Sequence, residues 1–138
     1  MTRIQRTLRR EEGAVAVEFA IVAPVLILIL FAIIEFGVAL SRYEVYVGAA
    51  REGARYAAVR CQPDSTSGCT SGLITTRVQN ASVGYSLGPG SPAASVTCSP
   101  TTVGQPVTVQ WEQDITISVP FWKVITLTPT IKAVFRCE

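Results

Sequence analysis

The chain has 138 residues, of which 49% are hydrophobic and 16% are charged, and its formal net charge is +2. Such a chain holds one small domain plus an extra segment, and its composition argues against a disordered protein and a highly basic nucleic-acid-binding protein. It has no histidine, the most common general base, and no phosphate-binding loop, zinc-protease or nucleophile-elbow motif. We therefore expect a protein that is not an enzyme, needs no cofactor and does not bind nucleic acid.

Residues 1–13 form a basic leader in front of a long apolar segment. The leader contains four arginines, Arg3, Arg6, Arg9 and Arg10. Arginines next to a membrane helix hold that end in the cytoplasm, whereas nearby acids have little influence on the orientation. We therefore expect a cytoplasmic N-terminus and export of the part of the chain that follows the apolar segment.

Residues 14–40 read AVAVEFAIVAPVLILILFAIIEFGVAL and predict a transmembrane helix. As a helix they would be about 40 Å long, whereas the hydrocarbon layer of a bilayer is about 30 Å thick. Pro24 lies inside this segment and predicts a kink, which is either a simple bend or a point at which the helix repacks. Glu35 is a second acid near the outer end, and we interpret it as an interfacial residue.

Glu18 is the feature of this segment that most needs an explanation. A carboxylate inside a spanning helix costs about 2.5–3.5 kcal/mol on insertion scales, so it usually has a partner or a task. If the chain were cut after Gly13, Ala14 would carry a new α-amino group and Glu18 would be the fifth residue of the mature chain. The new ammonium group could pair with a glutamate of a neighbouring helix, which would satisfy both charges only when subunits stack.

The basic leader, Gly13, the string AVAVEF and the apolar helix occur in an order that resembles a class III (type IV) prepilin signal. With the segment AAREGARYAAV that follows, the chain resembles the TadE-like family of minor pilins over residues 9–59. This resemblance implies cleavage between Gly13 and Ala14 by a prepilin peptidase. It also implies that Glu18 and Phe19 act in recognition and assembly.

The resemblance further implies a minor pilin, or pseudopilin, of a Tad/Flp-type type IV pilus that acts in pilus assembly, initiation and surface adhesion. The implied partners are the prepilin peptidase, other minor pilins, the major pilin, the inner-membrane assembly platform and the lipid bilayer. The implied location is the bacterial inner membrane as a single-pass protein with an exported C-terminal domain, and later the pilus or cell surface. Phe19, where major pilins commonly have tyrosine, and the sizeable C-terminal portion favour a minor pilin.

Two other interpretations stay open. Residues 37–39, Gly-Val-Ala, are a passable small-x-small cleavage site of an ordinary secretory signal, although signal cores are short and rarely contain a carboxylate. The chain could also be a single-pass, signal-anchored exported binding domain that does not polymerise.

Residues 41–60 predict an amphipathic continuation of the helix as a stem. Tyr46, Ala50, Ala54 and Ala57 recur at spacings of three and four, which places them on one helix face. Small residues along this face permit close approach of a neighbouring helix. Alternatively, the same stripe packs only on the chain's own sheet.

Residues 61–138 predict an exported β-domain rich in serine and threonine. From residue 62 onward there are 21 serines and threonines but only 8 charged residues. Apolar and polar residues alternate over 107–119, with an interruption at Gln113 that predicts a bend, and again over 130–137. Further predictions are a loop over 62–72, a short helix over 73–81, a turn-rich connector over 84–94 and a short strand at Val96 and Cys98.

These elements together predict an α+β fold. A long N-terminal membrane and stem helix packs against a small, disulfide-bonded head of about three antiparallel strands. Trp111 lies on the apolar side of the first alternating segment, so we expect it in the core. Glu112 and Asp114 lie on the polar side, and we interpret them as a solvated strand surface rather than a paired-acid site.

The four cysteines are Cys61, Cys69, Cys98 and Cys137, which allow three disulfide pairings. The predicted topology places all four outside the cytoplasm, where disulfides persist. We favour Cys61–Cys69, which closes a short loop, and Cys98–Cys137, which joins two strands. A four-cysteine zinc site is the alternative, but the chain lacks both CxxC spacing and histidine, so we expect no metal.

Overall fold

The structure, a computed structural model, describes residues 4–60, 71–88, 90–95, 98, 101–120 and 123–138, except for the side chains of residues 4–12 and of Arg60. A long helix and small antiparallel sheets confirm the predicted α+β fold. The elements of the described residues are α1 (Ile4–Arg60), α2 (Ser71–Ala81), β1 (Ala93–Ala94), β2 (Pro106–Glu112), β3 (Ile115–Ile117), β4 (Ile125–Leu127) and β5 (Thr130–Arg136).

Helix α1 is one unbroken helix of 57 residues that joins the predicted leader, apolar segment and stem. At a rise of 1.5 Å per residue it is about 85 Å long. Pro24 lies inside this helix, while the kink at that position stays a prediction. In the described part of α1, Ala39 is the first buried residue. From Gly13 to Val38 the helix therefore has no buried residue, and beyond this segment one face is covered by the head.

Helix α2 confirms the predicted short helix. Its buried side chains, Ile74 and Val78, are four residues apart and belong to the core that includes α1. The helix already begins at Ser71, so the predicted loop over 62–72 ends too late, and the rest of that loop lies outside the described residues. Within this helix, the hydroxyl of Thr75 donates a hydrogen bond to the carbonyl of Ser71 at 2.9 Å.

The main sheet has three antiparallel strands in the order β1-β2-β5. In the long pairing of β2 with β5, Val109 lies opposite Ala133 and Trp111 lies opposite Ile131. The predicted alternation along β2 is confirmed, because Val107, Val109 and Trp111 are buried and the residues between them are exposed or half-buried. The apolar side of β2 therefore faces the core, with Trp111 inside it.

The short strand β1 lies at Ala93–Ala94, so the prediction of a strand at Val96 and Cys98 was wrong for Cys98. Val96 lies outside the described residues, and Cys98 lies outside any strand. Pairing with β2 defines the strand, and two hydrogen bonds between Ser95 and Thr108 prolong it. The backbone N–H of Ser95 donates to the Thr108 carbonyl at 2.8 Å, and the backbone N–H of Thr108 donates to the Ser95 hydroxyl at 3.0 Å. Because these bonds are made by the backbone and one serine hydroxyl, no apolar alternation marks the strand in the sequence. The predicted connector over 84–94 therefore ends two residues too late.

A second, two-stranded sheet is formed by β3 and β4. Strand β2 ends directly before Gln113 and β3 begins two residues after it, so the predicted interruption is confirmed and separates the two sheets. Ile115 lies opposite Leu127 and Ile117 lies opposite Ile125. This β3–β4 hairpin packs against α1 beside the main sheet.

The core is one cluster of buried residues shared by α1, α2 and the main sheet. The residues from α1 are mostly alanines, which let α2 and the sheet approach the helix axis closely. Cys98 and Cys137 are buried in this cluster and form the predicted disulfide. The predicted Cys61–Cys69 pair lies outside the described residues and stays a prediction. The helical part of the cluster consists of Tyr46, Ala49, Ala50, Ala54, Ala57, Ala58, Ile74 and Val78.

Candidate functional site: the bare helix and its junction with the head

The first candidate site is the surface of α1 that the rest of the chain leaves uncovered. The large apolar side chains from Val15 to Leu40 are exposed, including Phe19 at 70% and Phe36 at 62%. Within the described residues, α1 is the one helix long and apolar enough to cross a membrane, and its most apolar window is 0% buried. A core helix of a soluble protein would bury this surface, so another molecule or a lipid phase must cover it.

The residues predicted to act in processing and recognition lie together on this bare surface. Gly13, Ala14, Glu18 and Phe19 occupy consecutive turns of α1 and are all exposed. A Cβ atom at Gly13 would meet nothing within 4 Å. Among the described residues, Glu18 has no ion-pair partner. The carboxylate is therefore held on a helix surface without any compensating charge from the described part of its own chain.

The distance between the two acids of the apolar segment limits how the helix can cross a bilayer. Glu18 and Glu35 are 17 residues apart on one continuous helix, which corresponds to about 25 Å along its axis. The hydrocarbon layer is about 30 Å thick, and tilting the helix shortens the separation across it. At least one of the two carboxyl groups therefore lies within the hydrocarbon layer when this segment spans a membrane.

On one flank of α1, aromatic residues fix the junction with the head. The phenol of Tyr46 donates a hydrogen bond of 3.0 Å to the carbonyl of Ser86, and its ring centroid lies 6.2 Å from that of Tyr85. The Arg42 guanidinium lies 5.7 Å from the centroid of the Tyr85 ring, a cation–π distance. Burial raises the pKa of Tyr46, while the positive charge of Arg42 opposes this shift. The connector after α2 is thereby attached to the stem.

The sequence interpretation missed the roles of Arg42 and Tyr85. The only signal was an arginine that follows the apolar segment directly, in a stretch rich in tyrosine. Nothing in the sequence links Arg42 to Tyr85, which lies 43 residues later along the chain. Among the described residues, the buried Arg42 Nε atom has no hydrogen-bond partner. The cation–π contact with Tyr85 is therefore the interaction that joins the Arg42 guanidinium to the connector.

On the other flank of α1, an open apolar groove lies between the helix and the β3–β4 hairpin. Its volume is about 420 Å³. We call it the hairpin groove. It begins where the bare part of α1 ends, so its helical wall continues the uncovered surface. The residues that line it are Phe36, Ala39, Leu40, Tyr43, Ile115, Ile117, Leu127 and Pro129.

Gln113 is a buried polar residue that ties together the parts of the head next to this groove. Its Oε1 atom accepts hydrogen bonds from the Trp111 indole at 3.1 Å and from the Gly88 amide at 2.7 Å. The backbone N–H of Gln113 donates a hydrogen bond to the carbonyl of Pro129 at 3.1 Å. The residue predicted as a bend therefore holds the connector, the end of β2 and the segment before β5 in one place.

The small-residue stripe of the stem is covered by the chain's own head. Ala50, Gly53 and Ala54 are buried, and a Cβ atom at Gly53 would lie 2.5 Å from the Val78 Cγ2 atom. At Gly53 the stripe contacts both helix α2 and strand β2, so a neighbouring helix does approach closely, it belongs to the same chain, and the packing is not on the sheet alone. Gly48, in contrast, is exposed and has open space around it.

The charged face of the stem carries exposed ion pairs. Glu52 lies 3.9 Å from Arg55 and 3.7 Å from Arg77, and Arg77 also lies 5.4 Å from the centroid of the Tyr56 ring. Exposed pairs of this kind contribute about 0–1 kcal/mol each. This face therefore adds little to stability.

The four-cysteine zinc alternative is excluded by the disulfide, because Cys98 and Cys137 are bonded to each other. In the part of the chain that the structure describes, no group of three or more histidine, cysteine, aspartate or glutamate side chains could hold a metal ion. Glu112 and Asp114 are both exposed, and Asp114 accepts a hydrogen bond from the Thr128 hydroxyl at 2.9 Å.

The bare apolar helix is compatible with a single-pass membrane anchor. Residues 13–55 match the family model described as TadE-like protein, which supports the resemblance that the sequence features of this segment indicate. The match associates the chain with a Tad pilus system. No curated protein and no solved structure matches the chain.

The matched segment runs from the predicted cleavage position into the stem. It contains Glu18, Phe19, Pro24 and Glu35, which are the residues singled out in the apolar helix, and it ends at Arg55. The match therefore covers the candidate assembly surface and part of the helix face that carries the head.

Proposed function

We propose that this chain is a minor pilin of a Tad-type pilus. It is stored in the inner membrane by residues 14–40, cut by prepilin peptidase between Gly13 and Ala14, and incorporated at or near the start of a filament. The role is structural rather than enzymatic, and adhesion to surfaces follows from the assembled filament. Its partners are the other minor pilins, the major pilin and the inner-membrane assembly platform.

The observation that carries this proposal is a bare apolar helix with an uncompensated acid in it. Covering apolar surface is favourable by about 25 cal/mol per Å², and either lipid or neighbouring helices can cover the surface from Val15 to Leu40. Glu18 distinguishes the two environments, because lipid offers no partner for its charge. An apolar helix that carries an unpaired acid is therefore suited to a subunit that moves from the lipid bilayer into a bundle of other helices.

Cleavage after Gly13 supplies the missing partner. The new α-amino group on Ala14 has an ordinary pKa of about 7.7–8 and is largely protonated at neutral pH. An ammonium group at this position can pair with Glu18 of an adjacent subunit when the helices stack with a small axial offset. The same cut removes the leader arginines, which hold the uncut chain in its membrane orientation. Proteolysis therefore releases the subunit and completes its binding site in one step.

The head is proposed to lie on the outer side of the membrane. The leader arginines favour a cytoplasmic N-terminus, and a single span places residues 41–138 on the opposite side. The buried Cys98–Cys137 disulfide supports this placement, because disulfides persist outside the cytoplasm.

The experiment that tests the proposal compares Glu18→Ala with Glu44→Ala. Glu44 lies on the same helix, beyond the apolar segment and exposed, so it controls for loss of an acid from α1. Filaments and membrane-bound protein are both quantified by immunoblot in a strain that carries only the variant gene. We expect Glu18→Ala to abolish filaments while the protein stays in the membrane, and Glu44→Ala to assemble normally.

The rival function is a signal-anchored exported binding domain that never polymerises. Under that function, Glu18→Ala and Glu44→Ala behave alike and neither affects filaments. Normal filaments with Glu18→Ala would therefore contradict the minor-pilin proposal.

A further inference from the structure

We propose that the hairpin groove is a lipid-docking site, in which acyl chains of the outer leaflet cover the apolar face of the β3–β4 hairpin and seat the head on the membrane. This inference rests on the proposed membrane anchoring and goes beyond it, because an anchor alone does not require the head to touch lipid.

The depth of the groove is the first argument. If the hydrocarbon layer begins at Ala14, about 20 helical residues bring its outer boundary to Ile33. Phe36 and Leu40 then lie about 5 and 10 Å beyond that boundary, in the headgroup layer. Any tilt of the helix brings both residues closer to the hydrocarbon layer. If the layer instead begins at Phe19, Phe36 lies inside it. Both registers place the helical wall of the groove at the outer surface of the membrane.

The chemistry of the hairpin is the second argument. Its cross-strand pairs put Ile115, Ile117, Ile125 and Leu127 on one face, and the two threonines between them face the other way. On the apolar face, Ile125 is 47% and Leu127 is 52% exposed. Such exposure is unfavourable in water, but it matches an element that lies in a membrane interface.

Continuity with the bare helix is the third argument. Phe36 and Leu40 line the groove and also belong to the exposed apolar surface of α1. The apolar lining of the groove is therefore continuous with the exposed apolar surface of α1, which lipid covers in the proposed membrane-anchored state. Val124 and Lys123, beside β4, are also exposed, and an ammonium group next to apolar side chains suits the phosphates of lipid headgroups.

These features favour lipid over a second copy of the chain as the occupant. Protein interfaces carry about one hydrogen bond per 100–200 Å². Of the side chains that line the groove, only Tyr43 has a hydrogen-bonding group. The volume of about 420 Å³ lies in the range of pockets that hold small apolar ligands, about 300–1,000 Å³. A flexible acyl chain fits such a groove without leaving a polar group unpaired.

The test uses the full chain with the photoreactive residue p-benzoylphenylalanine at position 127, reconstituted into vesicles of phosphatidylethanolamine and phosphatidylglycerol. Thr126, on the opposite face of the same strand, is the matched control, and Ile29 in the bare helix is the positive control. After irradiation, mass spectrometry detects lipid adducts and gel electrophoresis detects covalent dimers. The same label at Ile125, which lies on the same face as Leu127 and is also exposed, repeats the test if the label at position 127 disturbs the hairpin.

We expect lipid adducts at positions 127 and 29 and no adduct at position 126. Adducts at position 29 without adducts at positions 127 or 125 would overturn the docking site and leave the membrane anchor intact. Covalent dimers at position 127 in place of lipid adducts would also overturn it, and would assign the groove to a second copy. Absence of adducts at all positions, including 29, would contradict the anchoring on which the inference rests.

Discussion

Val78 of α2 packs directly onto Gly53 of α1: a Cβ atom at position 53 would lie 2.5 Å from the Val78 Cγ2 atom, closer than real side chains approach. Val78 is fully buried, and its branched Cβ leaves little rotational freedom. The absence of a side chain at Gly53 therefore lets α2 lie against the stem. This contact joins the helix that carries the bare apolar surface to the head.

We expect Gly53→Ala to destabilise the head by about 1–3 kcal/mol, because overpacking forces a buried side chain or the backbone to move. Gly48→Ala is the matched control, since position 48 has open space and alanine is favoured over glycine in a helix by about 0.5–1 kcal/mol. Urea unfolding of the full chain in detergent micelles measures both. Equal effects of the two substitutions would contradict the packing described for Gly53.

The double variant Gly53→Ala/Val78→Ala separates overpacking from other effects. Removing the Val78 methyl groups makes room for the new Cβ atom, so the two changes should not be additive. We expect the double variant to lose less stability than the sum of the two single variants. Strict additivity would mean that positions 53 and 78 do not share a contact.

Removal of the Cys98–Cys137 disulfide is expected to destabilise the head more than removal of the predicted Cys61–Cys69 pair. The first bond joins residues separated by 39 positions, for which loop-closure entropy gives about 3–4 kcal/mol. The second would close a much shorter loop and should contribute less. Thermal unfolding of the two double-serine variants measures the difference. A larger loss for the Cys61/Cys69 variant would contradict this ranking.

Gln113→Leu is expected to destabilise the head by at least about 2 kcal/mol. The substitution leaves the Trp111 indole N–H and the Gly88 amide without their common acceptor, and an unsatisfied buried donor costs about 1–3 kcal/mol. Gln110→Leu is the control, because Gln110 is an exposed glutamine on β2, three residues before Gln113. We expect the control to change the free energy of unfolding by less than about 0.5 kcal/mol. A similar loss in both variants would show that the buried network is not the cause.

Much of this fold could be predicted from local patterns. The spacing of Ile74 and Val78 indicated α2, the alternation through Val109 and Trp111 indicated β2, and the polar residue Gln113 marked the change of sheet. In each case the pattern lies within one element, and the structure buries the side that the pattern selects. Local periodicity therefore gives the elements and their inner faces.

The contacts between distant segments could not be predicted in this way. Strand β1 at Ala93–Ala94 exists because its backbone pairs with β2, and two alanines carry no strand signal of their own. The stacking of Arg42 on Tyr85 and the hairpin groove likewise depend on how segments far apart in the chain are placed against α1. The candidate processing and recognition residues, Gly13, Ala14, Glu18 and Phe19, are different from these long-range contacts. They all lie on one continuous helix, so they could be predicted from the sequence.

In the proposed mechanism, the working molecule starts at Ala14 and presents Glu18 as its fifth residue. Intact mass and N-terminal sequencing of the wild-type protein extracted from membranes test this claim directly. Gly13→Val and Gly37→Val serve as paired variants, because both glycines lie in α1 with open space around them.

We predict a wild-type chain that begins at Ala14, an uncut chain for Gly13→Val and normal cutting for Gly37→Val. A wild-type protein that begins at Met1, or at a position after Ala39 as a secretory signal would give, would contradict the account.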